Sequence, residues 1–228
     1  KDMRSVFVMV QSLQGKSLES WGGTLDGKLT ATYSLMESED DSGIRAVADG
    51  SGLDKSTIEV GKHVYFGQFE QDNNLENGKE PIEWRVLALD RYGEQAFLIS
   101  RYALTARCYH NGEAYPTWAN SNIRGWLNGQ FLWDAFTEKE QSAIVRSKLS
   151  NSAYAGIDGG KDTWDRVFLI SREEAANYFS GSTDRLVEPT EYARAKGAGV
   201  ADENGCCCWW LRTPGTYMYD AGLVYAVG

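Results

Sequence analysis

An α+β fold is what the sequence predicts, and three observations predict it. Short runs of alternating apolar and polar residues, "HVYFGQFE", "IEWRVLALD" and "QAFLIS", follow one another closely, as antiparallel strands do. Thr137 with Glu140 and Ser171 with Glu174 have capping-box spacing, in which side chains answer the orphan backbone donors that open a helix. The connections between these elements are long, irregular and rich in aromatic residues. Small antiparallel sheets with a few short helices follow.

Taken in order, "SVFVMVQSL" and "KLTATYSLM" read as two strands joined through "GKSLESWGGTLDG", whose Gly-Gly and Asp-Gly steps supply turn chemistry. Two strands cannot make a stable domain, so they must pack on something else. Residues 36–59 carry seven acids against Arg45 and Lys55 and no aromatic residue, the composition of a solvated connector. The division expected is therefore an N-terminal β segment with its acidic, Gly-rich connector over 1–59 and an α+β domain over 60–228.

Within that domain the three strands named above form a meander, with "RYGE" the tight turn between the second and third. "SNIRGWLN" sets Ile123, Trp126 and Leu127 at helical spacing, so one face of a short helix is buried. "NSAYAGIDGGKDTWD" reads as a long loop whose length hints at a binding role, "RVFLIS" as a short buried strand, and "TEYARAK" as a helix bracketed by Pro189 in its first turn and Gly197 past its end.

Charge and hydropathy exclude two partner classes. Lysine and arginine number 23 against 32 acids, a net charge of -9, so a nucleic-acid phosphate backbone is repelled. The longest apolar run, "VFVMV", is far short of the roughly 20 residues a spanning helix needs, and no membrane insertion is expected. The first residues, from Lys1, lack the basic-then-apolar layout of a secretion signal.

The order "VYFGQFEQDNN", "NGKEPIEWRVL", "AFLISRYAL", "WANSNIRGWLN", "FTEKEQSAI", "DRVFLIS", "CCCWWLRTPG" resembles a bacterial domain of unknown function. That domain is similar to the sulfatase-modifying-factor branch of the C-type-lectin-like superfamily, which includes retroelement-diversified variable proteins. The likeness spans about residues 60–228, and "PIEWRVL" with "WWLRTPG" carries most of it. It implies a C-type-lectin-like core, a secreted or cell-surface setting, and ligand-facing residues in the C-terminal region. Members usually continue into a closing strand reading like "GVRPALW", whereas this sequence stops at "GLVYAVG". A closing strand is thus expected to be absent, which leaves open the edge beside "HVYFGQFE" unless "SVFVMVQSL" covers it.

The chemistry-bearing residues leave several readings open. In "CCCWW" a strand sends Cys206, Cys208 and Trp210 to one face and Cys207 and Trp209 to the other, a two-sided apolar strand fit for a core. Cys108 could pair with one of these thiols, or join His110, Cys206 and Cys208 as a soft zinc or copper set. The oxidase members of the wider superfamily bind copper through a spaced cysteine pair, so the resemblance implies a formylglycine-generating type of enzyme using Cys108 and Cys206 or Cys208 as one alternative. Asp158, Asp162 and Asp165 could furnish oxygens for a structural calcium ion, and "QDNNLENGKE" offers amide and carboxylate oxygens in what reads more simply as a hairpin turn. No cofactor is required by the preferred reading. Only His63 and His110 could serve as imidazole bases, no serine sits on a nucleophile elbow, and no catalytic residue is assigned.

The strongest signal lies at the C-terminus. Arg212 precedes a Thr-Pro-Gly turn, either as a structural arginine tying that turn to the core or as an anchor for an acidic or sugar ligand, and Thr216, Tyr217, Tyr219, Asp220 and Tyr225 follow it. Tyrosine gives a large, stiff contact area with a hydrogen-bonding tip. The reading is a non-catalytic module that displays this Tyr- and Trp-rich surface to a protein or glycan. The alternatives are the oxidase-like enzyme and a structural module of a surface protein.

Overall fold

Alternation in the three central runs becomes a meander in the computed structural model, which describes residues 58–90, 95–112 and 115–226 together with the backbone of four earlier strands. Those four are β1 (Arg4–Val6), β2 (Met9–Leu13), β3 (Thr32–Met36) and β4 (Arg45–Ser51). The meander is β5 (His63–Phe69), β6 (Glu80–Leu89) and β7 (Gln95–Ser100), paired antiparallel in that order. Its inward positions, among them Val64, Phe66, Ile82, Trp84, Val86 and Leu98, are buried. The "RYGE" turn lies outside the described residues.

β5 carries a bulge at Gly67. Its φ is +70°, and a Cβ there would stand 2.5 Å from the Phe136 ring and 2.7 Å from the Ala135 carbonyl oxygen, so only glycine lets the helical layer come this close. That layer begins with α1 (Asn122–Trp126), runs through a π-helical turn Leu127–Phe131 into α2 (Leu132–Ala135), and continues in α3 (Glu138–Ala143). Ile123 and Leu127 are buried and Trp126 partly so, as the helical spacing requires. Both predicted capping boxes are formed, at Thr137/Glu140 on α3 and at Ser171/Glu174 on α4 (Arg172–Tyr178).

The remaining strands are β8 (Thr105–Arg107), β9 (Ser147–Leu149), β10 (Thr163–Asp165), β11 (Val167–Phe168), β12 (Trp209–Pro214) and β13 (Ala221–Val224), and the last helix is α5 (Glu191–Ala195). Two larger sheets result, one ordered β11-β2-β7-β6-β5 and the other β13-β12-β1-β8, beside the pairs β9-β10 and β3-β4. The fold is α+β with small antiparallel sheets and short helices; one parallel pairing, Ser5 opposite Trp209, departs from the antiparallel rule.

Several local expectations are corrected. "SVFVMVQSL" does not lie beside β5: β1 joins β12 and β8, and β2 sits between β7 and β11. "KLTATYSLM" supplies β3, whose partner is β4, a strand inside the stretch expected to be a connector. The long loop at 151–165 ends in β10, paired with β9. Only two residues of "RVFLIS" are paired, although Leu169 and Ile170 beyond them are buried as well. Thr190, and not Pro189, caps α5: its hydroxyl accepts from the Ala193 amide, which puts the proline outside the first turn.

Candidate functional site

The C-terminal hairpin β12–β13 sorts its side chains by what flanks them. β12 is an inner strand, between β13 and β1, so both of its edges are paired, and the burial of Trp209, Trp210, Leu211 and Arg212 shows that both faces are covered. Trp209 donates its indole N–H to the Arg185 carbonyl at 3.0 Å, and Trp210 donates to the Arg107 carbonyl at 3.0 Å. These two directions are what strand alternation predicts. Cys206 and Cys207 are buried ahead of them.

Arg212 is 5% exposed. Nη2 donates to Glu174 Oε1 at 2.6 Å, Nη1 donates to Glu174 Oε2 and to the Leu169 carbonyl oxygen, and the Tyr109 hydroxyl donates to the Arg212 carbonyl at 3.3 Å. Glu174 therefore works twice, as the capping-box acceptor for the Ser171 amide at 2.8 Å and as the fork partner of Arg212. Burial pushes the Tyr109 phenol well above its usual range, so this hydroxyl stays a donor. Arg212 thus does not share the displayed tyrosine surface with which the sequence groups it. It anchors β12 to α4.

Past Pro214 the cover ends. The Gly215 amide donates to the Asp220 carbonyl at 2.9 Å, and the Asp220 amide donates to the Tyr217 carbonyl at 3.0 Å, closing the turn. A Cβ on Gly215 would stand 2.6 Å from Asp220 Cβ, so the neck of the turn requires glycine. The tip carries Thr216, Tyr217, Met218 and Tyr219, all exposed, with Asp220 half-buried at the neck. Tyr217 is 58% exposed, Tyr219 66% and Met218 47%, and Tyr225, just after β13, is 65% exposed. The Tyr217 and Tyr219 rings stack with centroids 5.6 Å apart and planes within 3°. They form one exposed, stacked aromatic pair.

Beside the base of this hairpin lies a cleft of about 600 Å³, of mixed polar and apolar lining, between residues 148–154 and α4, with Asn151, Tyr154, Arg172, Glu174, Arg212 and Thr213 among its walls. The Arg172 guanidinium lies over the Tyr154 ring at 4.2 Å. Asn151 Oδ1, Arg172 Nε and Arg212 Nε are buried without a hydrogen-bond partner. The sequence reading missed this cleft because its walls come from three separated segments. Two signals bore on it: the length of the 151–165 loop, whose first residues line the cleft, and the Ser171/Glu174 capping box, which placed Glu174 without its second role. Exposed Trp133 on α2 and Trp164 on β10 were missed as well.

The sulfur ligand set does not assemble. All four cysteines are free thiols. Cys206 Sγ and Cys207 Sγ lie 3.6 and 3.5 Å from the carbonyl oxygens of Asn204 and Val187. Burial first, then Glu188, raises the Cys206 pKa, so its thiol is a poor ligand or nucleophile at neutral pH. Both ring nitrogens of His110 are buried without a partner. Among the described residues, the group of three or more ligating side chains with atoms within 4.8 Å of one another is Glu70, Asp72 and Glu80, not Cys108, His110, Cys206 and Cys208. The calcium set suggested for Asp158, Asp162 and Asp165 also disperses. Asp165 accepts from Trp118 Nε1 and from Arg124, Asp162 pairs with Lys148, and Asp158 accepts from the Gly160 amide. His63 donates to or accepts from Glu83 across 2.6 Å on the neighbouring strand.

Fold and site together define an α+β domain of small antiparallel sheets whose C-terminal hairpin carries an exposed aromatic tip. Residues 93–228, more than half of the chain, match the family described as Domain of unknown function (DUF6273), and the chain belongs to that family. The match takes in β7 through β13, hence both the cleft and the tip. No curated protein and no solved structure matches the chain. No helix among the described residues is long and apolar enough to cross a membrane.

Proposed function

We propose that the chain is a non-catalytic ligand-binding module, built on a lectin-like α+β core, that presents the tip of its C-terminal hairpin to a protein or glycan outside the cell. The observation that carries this reading is the stacked, solvent-facing pair Tyr217 and Tyr219. Aromatic area of this size is ordinarily buried, and paired phenols in water supply both apolar contact and hydrogen bonds. Thr216, Asp220 and Tyr225 are the nearby polar and aromatic contributors, and the rigid β12 beneath fixes the tip's orientation.

Glycan and protein arrays probed with the full chain test this. The double variant Tyr217→Ala/Tyr219→Ala should lose array binding at least tenfold while keeping its melting temperature. A full chain that binds nothing on either array, or a double variant that binds as well as the parent, overturns the reading and leaves the structural-module alternative.

A second reading is favoured by the cleft. Three unpartnered polar atoms, from Asn151, Arg172 and Arg212, belong to its walls, and such atoms are satisfied in native proteins by water or a ligand. A small, hydroxyl- and carboxylate-bearing molecule such as an acidic saccharide suits them. Under this reading Arg172→Ala weakens saccharide binding and the tyrosine double variant leaves it unchanged.

A further inference from the structure

The loop from Glu70 to Glu80 joins β5 to β6 and carries four acids, Glu70, Asp72, Glu76 and Glu80, with a single lysine. That lysine, Lys79, donates to the Asp134 carbonyl at 2.5 Å. One carboxylate oxygen from each of Glu70, Asp72 and Glu80 lies within 4.8 Å of one from each of the others. None of the three forms an ion pair with a described residue.

Crowded surface acids are common and prove nothing alone; Glu70 is different. Its side chain is 6% exposed, and its Oε1 is buried with no hydrogen-bond partner. The Glu70 carboxyl hydrogen-bonds to the Asn74 amide and the Asp72 side chain, and burial, then Glu80 and Asp72, raise its pKa; the remaining buried oxygen has no donor, a cost that a bound cation relieves as well as a proton does. The other two acids are held in place. Asp72 Oδ1 accepts from the Asn74 amide at 2.7 Å and Oδ2 from Asn77 Nδ2 at 2.7 Å, and Glu80 Oε2 accepts from the Gln71 amide at 2.6 Å.

We propose that Glu70, Asp72 and Glu80 form a calcium site. All its donors are oxygens, the preference of hard divalent cations and not of zinc or copper. Three carboxylates this close together can share one calcium ion, whose Ca–O distances are about 2.3–2.6 Å. The exposed face of Asp72 leaves room for the waters that complete its coordination. The ion would pin the loop whose Gln71 carbonyl accepts from the Tyr192 amide on α5 at 2.9 Å, tying the meander to the last helix. This site is independent of the tyrosine tip.

The test is calorimetric titration of the chelator-stripped full chain with calcium, a parallel titration with magnesium, and thermal unfolding with and without calcium. We expect saturable calcium binding at one site per chain, with Kd on the order of 10⁻⁴–10⁻³ M, and a higher Tm with the ion present. Asp72→Asn, in the exposed part of the loop, should weaken binding at least tenfold. Glu70→Gln should abolish the calcium-dependent rise in Tm while leaving the stripped protein as stable as the parent or more so, because an uncompensated buried charge is gone. If Glu70→Gln fails to fold, Asp72→Asn carries the test. Absence of saturable heat up to about 10 mM calcium, ten times the weak end of that range, overturns the site. So does binding unchanged in Asp72→Asn. Tighter binding of magnesium than of calcium overturns the choice of ion.

Discussion

Residues 206–212 and residues 216–225 lie on the same hairpin and share a composition of aromatic side chains among small ones, yet Trp209 and Trp210 are buried while Tyr217, Tyr219 and Tyr225 stand in solvent. Neighbours make the difference. β12 has a strand on either side and the α4 segment beneath it, whereas the turn from Gly215 to Asp220 is closed only by its own backbone. Aromatic content therefore tells little about role at this end of the molecule. Strand position decides whether an aromatic ring holds the fold together or waits for a partner.

The contrast breaks if the buried half tolerates truncation. Trp209→Ala should cost roughly 3–5 kcal/mol, the usual cost of removing a large core aromatic, read as a fall in the denaturant midpoint at unchanged slope. Glu174→Gln removes the charge partner of Arg212 and should cost about 2–3 kcal/mol by the same measurement. Breaking a fully buried pair costs more, and Glu174 is partly open to water. The exposed half should scarcely register: Tyr217→Ala with Tyr219→Ala should stay within about 0.5 kcal/mol of the parent. A tip substitution that destabilises as much as the core substitution would show that the tyrosines are scaffold.

The Arg85–Asp184 pair, intermediate in exposure, sharpens the scale at its small end. Burial pushes the Asp184 pKa up, but donation from Arg85 and from the Ser180 amide outweighs it, so the carboxyl titrates below the ordinary aspartate range. Its folded pKa is depressed, so its stabilisation is present above the unfolded aspartate value near 3.9 and is lost as pH falls through the folded value. Asp184→Asn should remove that contribution at neutral pH, a loss of at most about 1 kcal/mol for a partly exposed pair, and flatten the acid limb below about pH 4, where variant and parent converge.

Local chemistry in this chain was legible, and long-range pairing was not. The meander, both capping boxes and the buried face of α1 follow from spacing within a dozen residues, because alternation and capping are short-range effects. Nothing in "SVFVMVQSL" indicates that it divides between two sheets, since a strand pattern records which face is apolar and not which strand lies alongside. The acidic stretch around β4 shows the same limit, because composition argued for a connector where strand pairing prevails. At the site, turn chemistry and tyrosine content located the tip. Arg212 could be read from sequence as structural or as ligand-facing, because burial of an arginine depends on a partner, and its partner Glu174 lies 38 positions earlier in the chain.

One pairing has a temporal consequence. Ser5 faces Trp209 across two parallel strands, and β2 lies between β7 and β11. During synthesis β1 emerges about 200 residues before β12 and must wait for it, and closing a loop of that length precedes any gain from the contact. Maturation of this chain is thus set by its longest closure and should be slow beside that of the β5–β7 meander, leaving a window in which the early strands are open to capture by chaperones or by one another.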